Sequence, residues 1–393
     1  MTSAYGNDGR TGEYAAPGLT DRPRIAWRVR TDGPVMVAPV ADDPGDRLVV
    51  AARRELHVVD ARTGAPLWTE VDERRSFETT PAIWRDRLIV ENAFEAEVLV
   101  YDLGTADRVH VLEGSGCPTV VGDLLLLDEL RYDARALRLP DLQTVWTAQN
   151  LGSLAVSPAL GPDGRAYAAE GFEPHHTHGG VRGFDLDTGE TVFAVADRVE
   201  RCPMPDDRAD DEDWVYPGPF HVVFAHNLVW TVAGRDHDGW GSTDVYGLDP
   251  ATGDTRWVLH LGLDPDAGPG ATGAVAVAGG TLYITTIGSD DAVLVQAIDV
   301  ESRQTLWAAP LAGEPAGSPV IAGGCLYLAS RTGVVHAFDR ANGSEIWRVD
   351  VEAPIPIWTD WMRDYHEDEM AVLPMRDTLY VRTESGVVAL RAP

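Results

Sequence analysis

The stretch GSPVIAGGCLYLASRTGVVHAFDRANGSEIWRVD, Gly317 to Asp350, contains four short apolar runs: Ser318 to Ala322, Cys325 to Ala329, Val334 to Phe338 and Glu345 to Val349. Gly-Gly, Arg-Thr-Gly and Ala-Asn-Gly separate them, and each separator supplies the residue types a tight reversal needs. The pattern predicts a four-stranded antiparallel meander. A lone meander has two open edges and two apolar faces, so it must be stacked on further copies.

The copies follow from one spacing, an Asp at the end of the third strand, a turn, and a Trp eight residues after the Asp. It recurs at Asp60 with Trp68, Asp249 with Trp257, Asp299 with Trp307 and Asp339 with Trp347. Weaker copies pair Asp185 with Phe193 and Asp102 with His110, and a degenerate unit ends at Trp146. The Asp carboxylate accepts hydrogen bonds from the N–H groups of the turn, where a Gly takes the positive φ. The Trp is expected to fill the gap against the neighbouring sheet, and its truncation should cost ~3–5 kcal/mol.

These anchors define seven units, and the chain ends supply an eighth. Met370 to Arg391 gives three strands and stops, while RIAWRVRTD, Arg24 to Asp32, resembles a lone fourth strand with its own Trp27. Joining the two closes a ring and removes open edges. The expected sheets are 33–71, 78–113, 115–149, 153–197, 219–262, 271–311, 317–350, and 370–391 completed by 24–32. The fold predicted is all-β, an eight-bladed β-propeller of four-stranded antiparallel blades, with one domain over 24–393 and a disordered leader over 1–23.

Composition narrows the chemistry. The chain has 393 residues and is 44% apolar, ample for a core. All 32 basic residues are Arg, so Lys Schiff-base and Lys-nucleophile mechanisms are excluded. A net charge of -30 provides solubility and repels nucleic acid and anionic membrane surfaces, so neither is expected as a partner. The opening residues MTSAYGNDGRTGEYAAPG carry no basic start and no apolar core of a signal peptide, and no segment reaches the ~18 apolar residues of a membrane span. Cys117, Cys202 and Cys325 form neither a disulfide framework nor a metal spacing, and the expected location is the cytoplasm.

The run Ala/Gly-x-Asp-x-x-Thr-Gly-x-x-x-Trp resembles the tryptophan-docking motif of the PQQ-like repeat family, along essentially the whole chain. That family comprises eight-bladed propellers and includes quinoprotein alcohol dehydrogenases and the outer-membrane assembly scaffold BamB. The resemblance implies the fold; a propeller carries many unrelated tasks. Quinoprotein dehydrogenases characteristically carry two adjacent cysteines against the quinone, and this chain has no Cys-Cys pair, so PQQ is not the expected cofactor. The scaffold relative carries a lipid-accepting Cys, which this sequence also lacks.

In a four-stranded blade, the turns between strands one and two and between three and four lie at one end of the ring. These are short throughout, as at Gly279-Gly280, Gly323-Gly324 and Asp187-Thr188-Gly189. The long insertions belong to the other end: Gly171 to Gly180, Arg198 to Gly218, Gly234 to Thr243 and Ala353 to Glu369. Loops on a rigid ring are where sites are built.

That end carries His175, His176, His178, His237 and His366 with Glu173, Asp236, Asp238, Asp364 and Glu367, a mixture suited to a divalent metal or proton relay. His176 and His178, two apart, point the same way in an extended chain and are the metal candidates. As acid, base or ligand the candidates are His178, His237 and His366, oriented by Asp236 and Glu173. Trp214, Tyr216, Trp240, Trp358, Trp361 and Tyr365 lie outside the docking positions and are the ligand- or protein-binding candidates. Equally, they serve to hold long loops against the ring. The acidic run Pro205 to Asp213 reads as a solvated loop, with a cation or basic partner as the alternative. His57, His110, His260 and His336 fall on the strand pattern and read as structural. No G-x-S-x-G, phosphate loop or Cys-His spacing is present.

The expectation is a binding or scaffolding module that engages a small molecule or protein through the loop-rich end. The rival is a lyase, cyclase or isomerase using His/Asp/Glu acid-base or metal-assisted chemistry there, and a PQQ-dependent oxidoreductase ranks third.

Overall fold

The four runs of Gly317 to Asp350 fold as the strands Val320–Ala322, Cys325–Ala329, Val334–Asp339 and Glu345–Asp350, each hydrogen-bonded to the next in chain order. This comes from a computed structural model, which describes residues 6–77, 79–129, 133–148, 157–170, 180–195, 222–235, 242–260, 274–287, 292–357 and 370–393. Eight such sheets are present and form a propeller ring; no helix occurs among the described residues. First strands of neighbouring blades contact one another, so they form the inner wall.

Strand alternation explains the packing. In blade one, Leu48, Val50 and Val59 belong to the cluster shared with blade eight, while Val49, Ala51, Leu56 and Val58 pack against Leu88, Leu99 and Tyr101 of blade two. Both faces of a blade are therefore buried, which the period-two side-chain geometry of a strand permits only if sheets stack on either side.

The Asp-to-Trp repeat is a clamp between blades. Asp60 Oδ1 accepts from the Thr63 amide at 2.7 Å and its hydroxyl at 2.6 Å; Asp102, Asp185, Asp249, Asp299 and Asp339 accept likewise from their own turns. In four blades the indole then donates to the carbonyl just after the Asp of the next blade: Trp68 to Leu103 at 2.9 Å, Trp146 to Leu186 at 2.8 Å, Trp257 to Val300 at 2.8 Å and Trp307 to Arg340 at 3.0 Å. A Cβ on Gly343, at φ +73°, would lie 2.4 Å from the Trp307 ring, so the turn glycine is what lets the indole lie flat on it.

A second grip comes from tyrosines three residues into the second strand. Tyr167 donates to Pro250, Tyr283 to Arg340 and Tyr380 to Ala61, again just after the turn Asp of the following blade. Burial pushes Tyr380 up to about 12, as it does Tyr167, so these hydroxyls stay protonated donors.

Closure of the ring agrees with the sequence reading. Arg24–Arg30 pairs antiparallel with Gly386–Arg391, Trp27 opposite Ala389, and the Trp27 indole donates to Arg62 of blade one at 3.1 Å. The stretch expected as a leader over 1–23 is described from residue 6. From residue 6 it lies against the ring, and Glu13–Tyr14 forms a parallel pair with Val320–Ala322. Its small, polar composition suggested a solvated tail, but backbone hydrogen bonds together with buried Tyr14 and Leu19 hold it, and glycines permit that close approach.

Candidate functional site

An antiparallel meander brings the ends of every second and fourth strand to one end of the ring. The connections 171–179, 196–222, 236–241, 261–275 and 351–371 all leave from strand ends on that side. The opposite end is closed by tight reversals, such as His226-Asn227 with φ of 52° and 56° and Gly279-Gly280 with 56° and 79°.

Buried polar side chains concentrate at the long-connection end, and they staple blade to blade. Glu91 of blade two accepts the Gly116 amide of blade three at 2.7 Å, and Asn92 accepts that of Ser76 at 3.1 Å. The Cys117 thiol lies 3.1 Å from the Ser157 hydroxyl and 3.5 Å from the Thr80 carbonyl, tying blades two, three and four. Ser318 of blade seven accepts the Ala274 amide at 2.8 Å. The Arg382 guanidinium, 0% exposed, donates to the carbonyls of Met370 at 2.9 Å, Pro356 at 2.6 Å and Val35 at 3.5 Å.

Arg382 thereby fixes both walls of a cleft between blades seven and eight, with a volume of about 390 Å³. Its lining is Pro34, Met36, Ile355, Pro356 and Ile357, with Arg331 and Glu384 at the edge. Arg331 is paired with Glu314 at 2.7 Å, and with Glu384 beside it the edge is polar around an apolar floor. Such a lining suits an apolar side chain or ring of a ligand or partner. In sequence the floor continues directly into 358–369.

A larger cleft of about 720 Å³ lies at the opposite end, between blades eight and one. Its charges are spent on each other, Arg376 with Asp46 at 3.1 Å and Arg391 with Asp377 at 3.7 Å.

The residues singled out from sequence, Glu173, His176, His178, Trp214, Tyr216, Asp236, His237, Trp240, Trp358, Trp361, Tyr365 and His366, all lie outside the described residues. Among the described residues no group of three or more His, Cys, Asp or Glu side chains is placed to hold a metal. Of the strand histidines, His57 bridges Thr69 at 3.1 Å and Glu55 at 2.9 Å, and His110 is exposed on an outer strand. His336 is 1% exposed with Nδ1 2.7 Å from Glu345. His57 and His336 thus bond within their own blades. Sequence reasoning missed Arg382, although a lone Arg inside the apolar strand Thr378–Thr383 was a visible signal.

Comparison with known proteins bears on the fold and the family. A family profile described as outer membrane protein assembly factor BamB matches residues 20–196 and 241–392. The crystal structure of BamB from Moraxella catarrhalis superposes with a TM-score of 0.64 at 14% identity, covering 94% of this chain and 100% of that one. A quinohemoprotein alcohol dehydrogenase from Pseudomonas putida HK5 gives 0.66 at 11% identity, covering 99% and 80%. Among curated proteins, the serine/threonine-protein kinase AfsK of Streptomyces griseus is 31% identical over 192 residues, 44% of this chain and 19% of that protein. This chain thus spans about a fifth of that relative. With the profile matched on both sides of the ring and the Trp-to-turn clamp repeated from blade to blade, the chain belongs to the BamB family of PQQ-repeat β-propellers.

Proposed function

We propose that the protein is a binding or scaffolding module that engages a protein partner through the long-connection end of the ring. The observation that carries this reading is the apolar cleft between blades seven and eight, whose two walls are pinned by one buried guanidinium. A preorganised apolar floor inside a polar edge is the arrangement that binding hot spots use. The family description as an assembly factor supports the same reading. So does the presence of related repeat sequence within a larger protein named as a kinase, where a propeller can serve as one module among others. Cys117 and Cys325 are buried as thiols, which suits a reducing compartment, and we propose a cytoplasmic location. The net charge of -30 favours a partner that is neither nucleic acid nor an anionic membrane.

The test is capture with the full-length chain, comparing wild type with Met36→Arg and Ile357→Arg, both half-buried in the cleft. A stoichiometric partner lost from both variants but kept by Arg376→Glu at the opposite end is the expected result. Retention of that partner by both cleft variants would overturn the assignment. Metal analysis and an absorption spectrum on the same untagged material separate the rival chemistries. Stoichiometric metal would favour acid-base or metal-assisted catalysis by His178, His237 and His366, and quinone absorbance an oxidoreductase.

A further inference from the structure

The leader crosses the inner wall of the ring at its short-turn end. The amides of Leu160, Phe224, Val277 and Ile321, one from the first strand of each of blades four to seven, donate to the carbonyls of Asp8, Gly9, Thr11 and Gly12 at 2.7 to 2.9 Å. Arg10, between these contacts, is 2% exposed, and the Tyr14 hydroxyl reaches Met370 Sδ of blade eight at 2.9 Å. Residues 7–14 therefore run along the channel mouth across four blades and touch a fifth.

Beyond Tyr14 the same segment does a second job. Blade eight has no turn between its third and fourth strands, because one lies at each end of the chain, so Trp347 of blade seven lacks the acceptor its counterparts use. The Leu19 carbonyl takes that place at 2.7 Å from the Trp347 indole, and the Leu19 amide donates to the Tyr327 hydroxyl at 2.5 Å. Cys325 is 0% exposed under this segment, its Sγ 3.5 Å from the Leu19 carbonyl and close to Gly18.

We propose that residues 7–19 are a liftable strap, one cooperative unit that seals the short-turn mouth of the axial channel and the blade-seven seam, and that opens without unfolding the ring. Its few buried apolar anchors, Tyr14 and Leu19, contrast with blades whose sheets are complete without it. A unit of few apolar contacts bound by edge hydrogen bonds belongs to the low-stability end of a fold. While the strap is down, it stands across the short-turn approach to the axis along blades four to seven. This does not depend on the identity of any partner at the long-connection end.

Glycines supply the perturbation. A Cβ on Gly12, at φ +72°, would sit 2.8 Å from the Ala276 Cβ, so Gly12→Val pushes the strap off the wall seven residues from the segment that covers Cys325. The readout is alkylation of the full-length protein, with each cysteine followed by peptide mass spectrometry. In the variant, Cys325 should react at least about tenfold faster while Cys117, buried elsewhere on the ring, keeps its wild-type rate. An unchanged Cys325 would refute a single unit, and acceleration of both cysteines would show that the ring opens as a whole. In the unaltered protein, the amides of Leu160, Phe224, Val277 and Ile321 should exchange hydrogen at a shared rate, faster than amides of the second and third strands. Exchange together with those strands would overturn the proposal.

Discussion

Trp257 offers the most direct measure of what holds one blade to the next. It is 4% exposed, its indole N–H donates to Val300 of blade six at 2.8 Å, and its ring meets Trp230 edge-on at 5.0 Å and 73°. Replacing it by Ala removes a large buried side chain, which costs ~3–5 kcal/mol. Of this, ~1 kcal/mol reflects the lost hydrogen bond and ~0.5–1.5 kcal/mol the aromatic pair. Unfolding entropy of ~2.1 cal/mol/K per residue over 393 residues converts a loss of ~4 kcal/mol into a Tm drop of ~5 °C. Trp257→Phe keeps most of the packing but no donor, and should lose ~1–2 kcal/mol. Blade four already works this way, with Phe193 only 7% exposed against Gly253. Calorimetry and guanidinium unfolding followed by circular dichroism give both values. If Ala costs under ~1 kcal/mol, the clamp does not hold the ring. If Phe costs as much as Ala, the N–H rather than the packing is what matters.

Three further outcomes follow from the same geometry. Gly343→Val should destabilise by ~2 kcal/mol or more, from a strained φ and a clash with Trp307, whereas Gly324→Ala, with open space around it, should stay within ~0.5 kcal/mol; equilibrium unfolding compares them. The amide of Ala251, with Arg256 and the Thr252 amide, holds the Asp249 carboxyl below its usual value. Its contribution is therefore complete above about pH 4 and lost as pH falls through the lower folded value. Asp249→Asn should be less stable than wild type at pH 7, and the gap should close towards pH 3 in pH-dependent thermal melts. Arg382→Met should cost ~3 kcal/mol or more by leaving the Met370, Pro356 and Val35 carbonyls without their donor, and should reduce partner capture along with stability.

The repeat was legible in the chain because each blade is local. An Asp, a Gly and a Trp within eleven residues dictate a turn and an indole that must find a neighbour, and seven repetitions leave a ring as the solution. Trp27 opposite Ala389 shows that even closure was readable, since both halves of the last blade carry strand patterns. The tyrosine grip was equally present, as Leu-Tyr at 282–283 and 379–380 and Ala-Tyr at 166–167, and was passed over because Tyr is an ordinary strand residue.

The sequence by itself determined the blade, its count and its seam, because side-chain alternation and turn chemistry act over a few residues. Only the tertiary structure decided that residues 7–19 line the mouth of the ring, that Leu19 supplies the acceptor for Trp347 more than 300 residues away, and that Arg382 pins a cleft. Those contacts run through backbone carbonyls and amides, which every residue carries alike, so no residue type announces them until the chain has closed on itself.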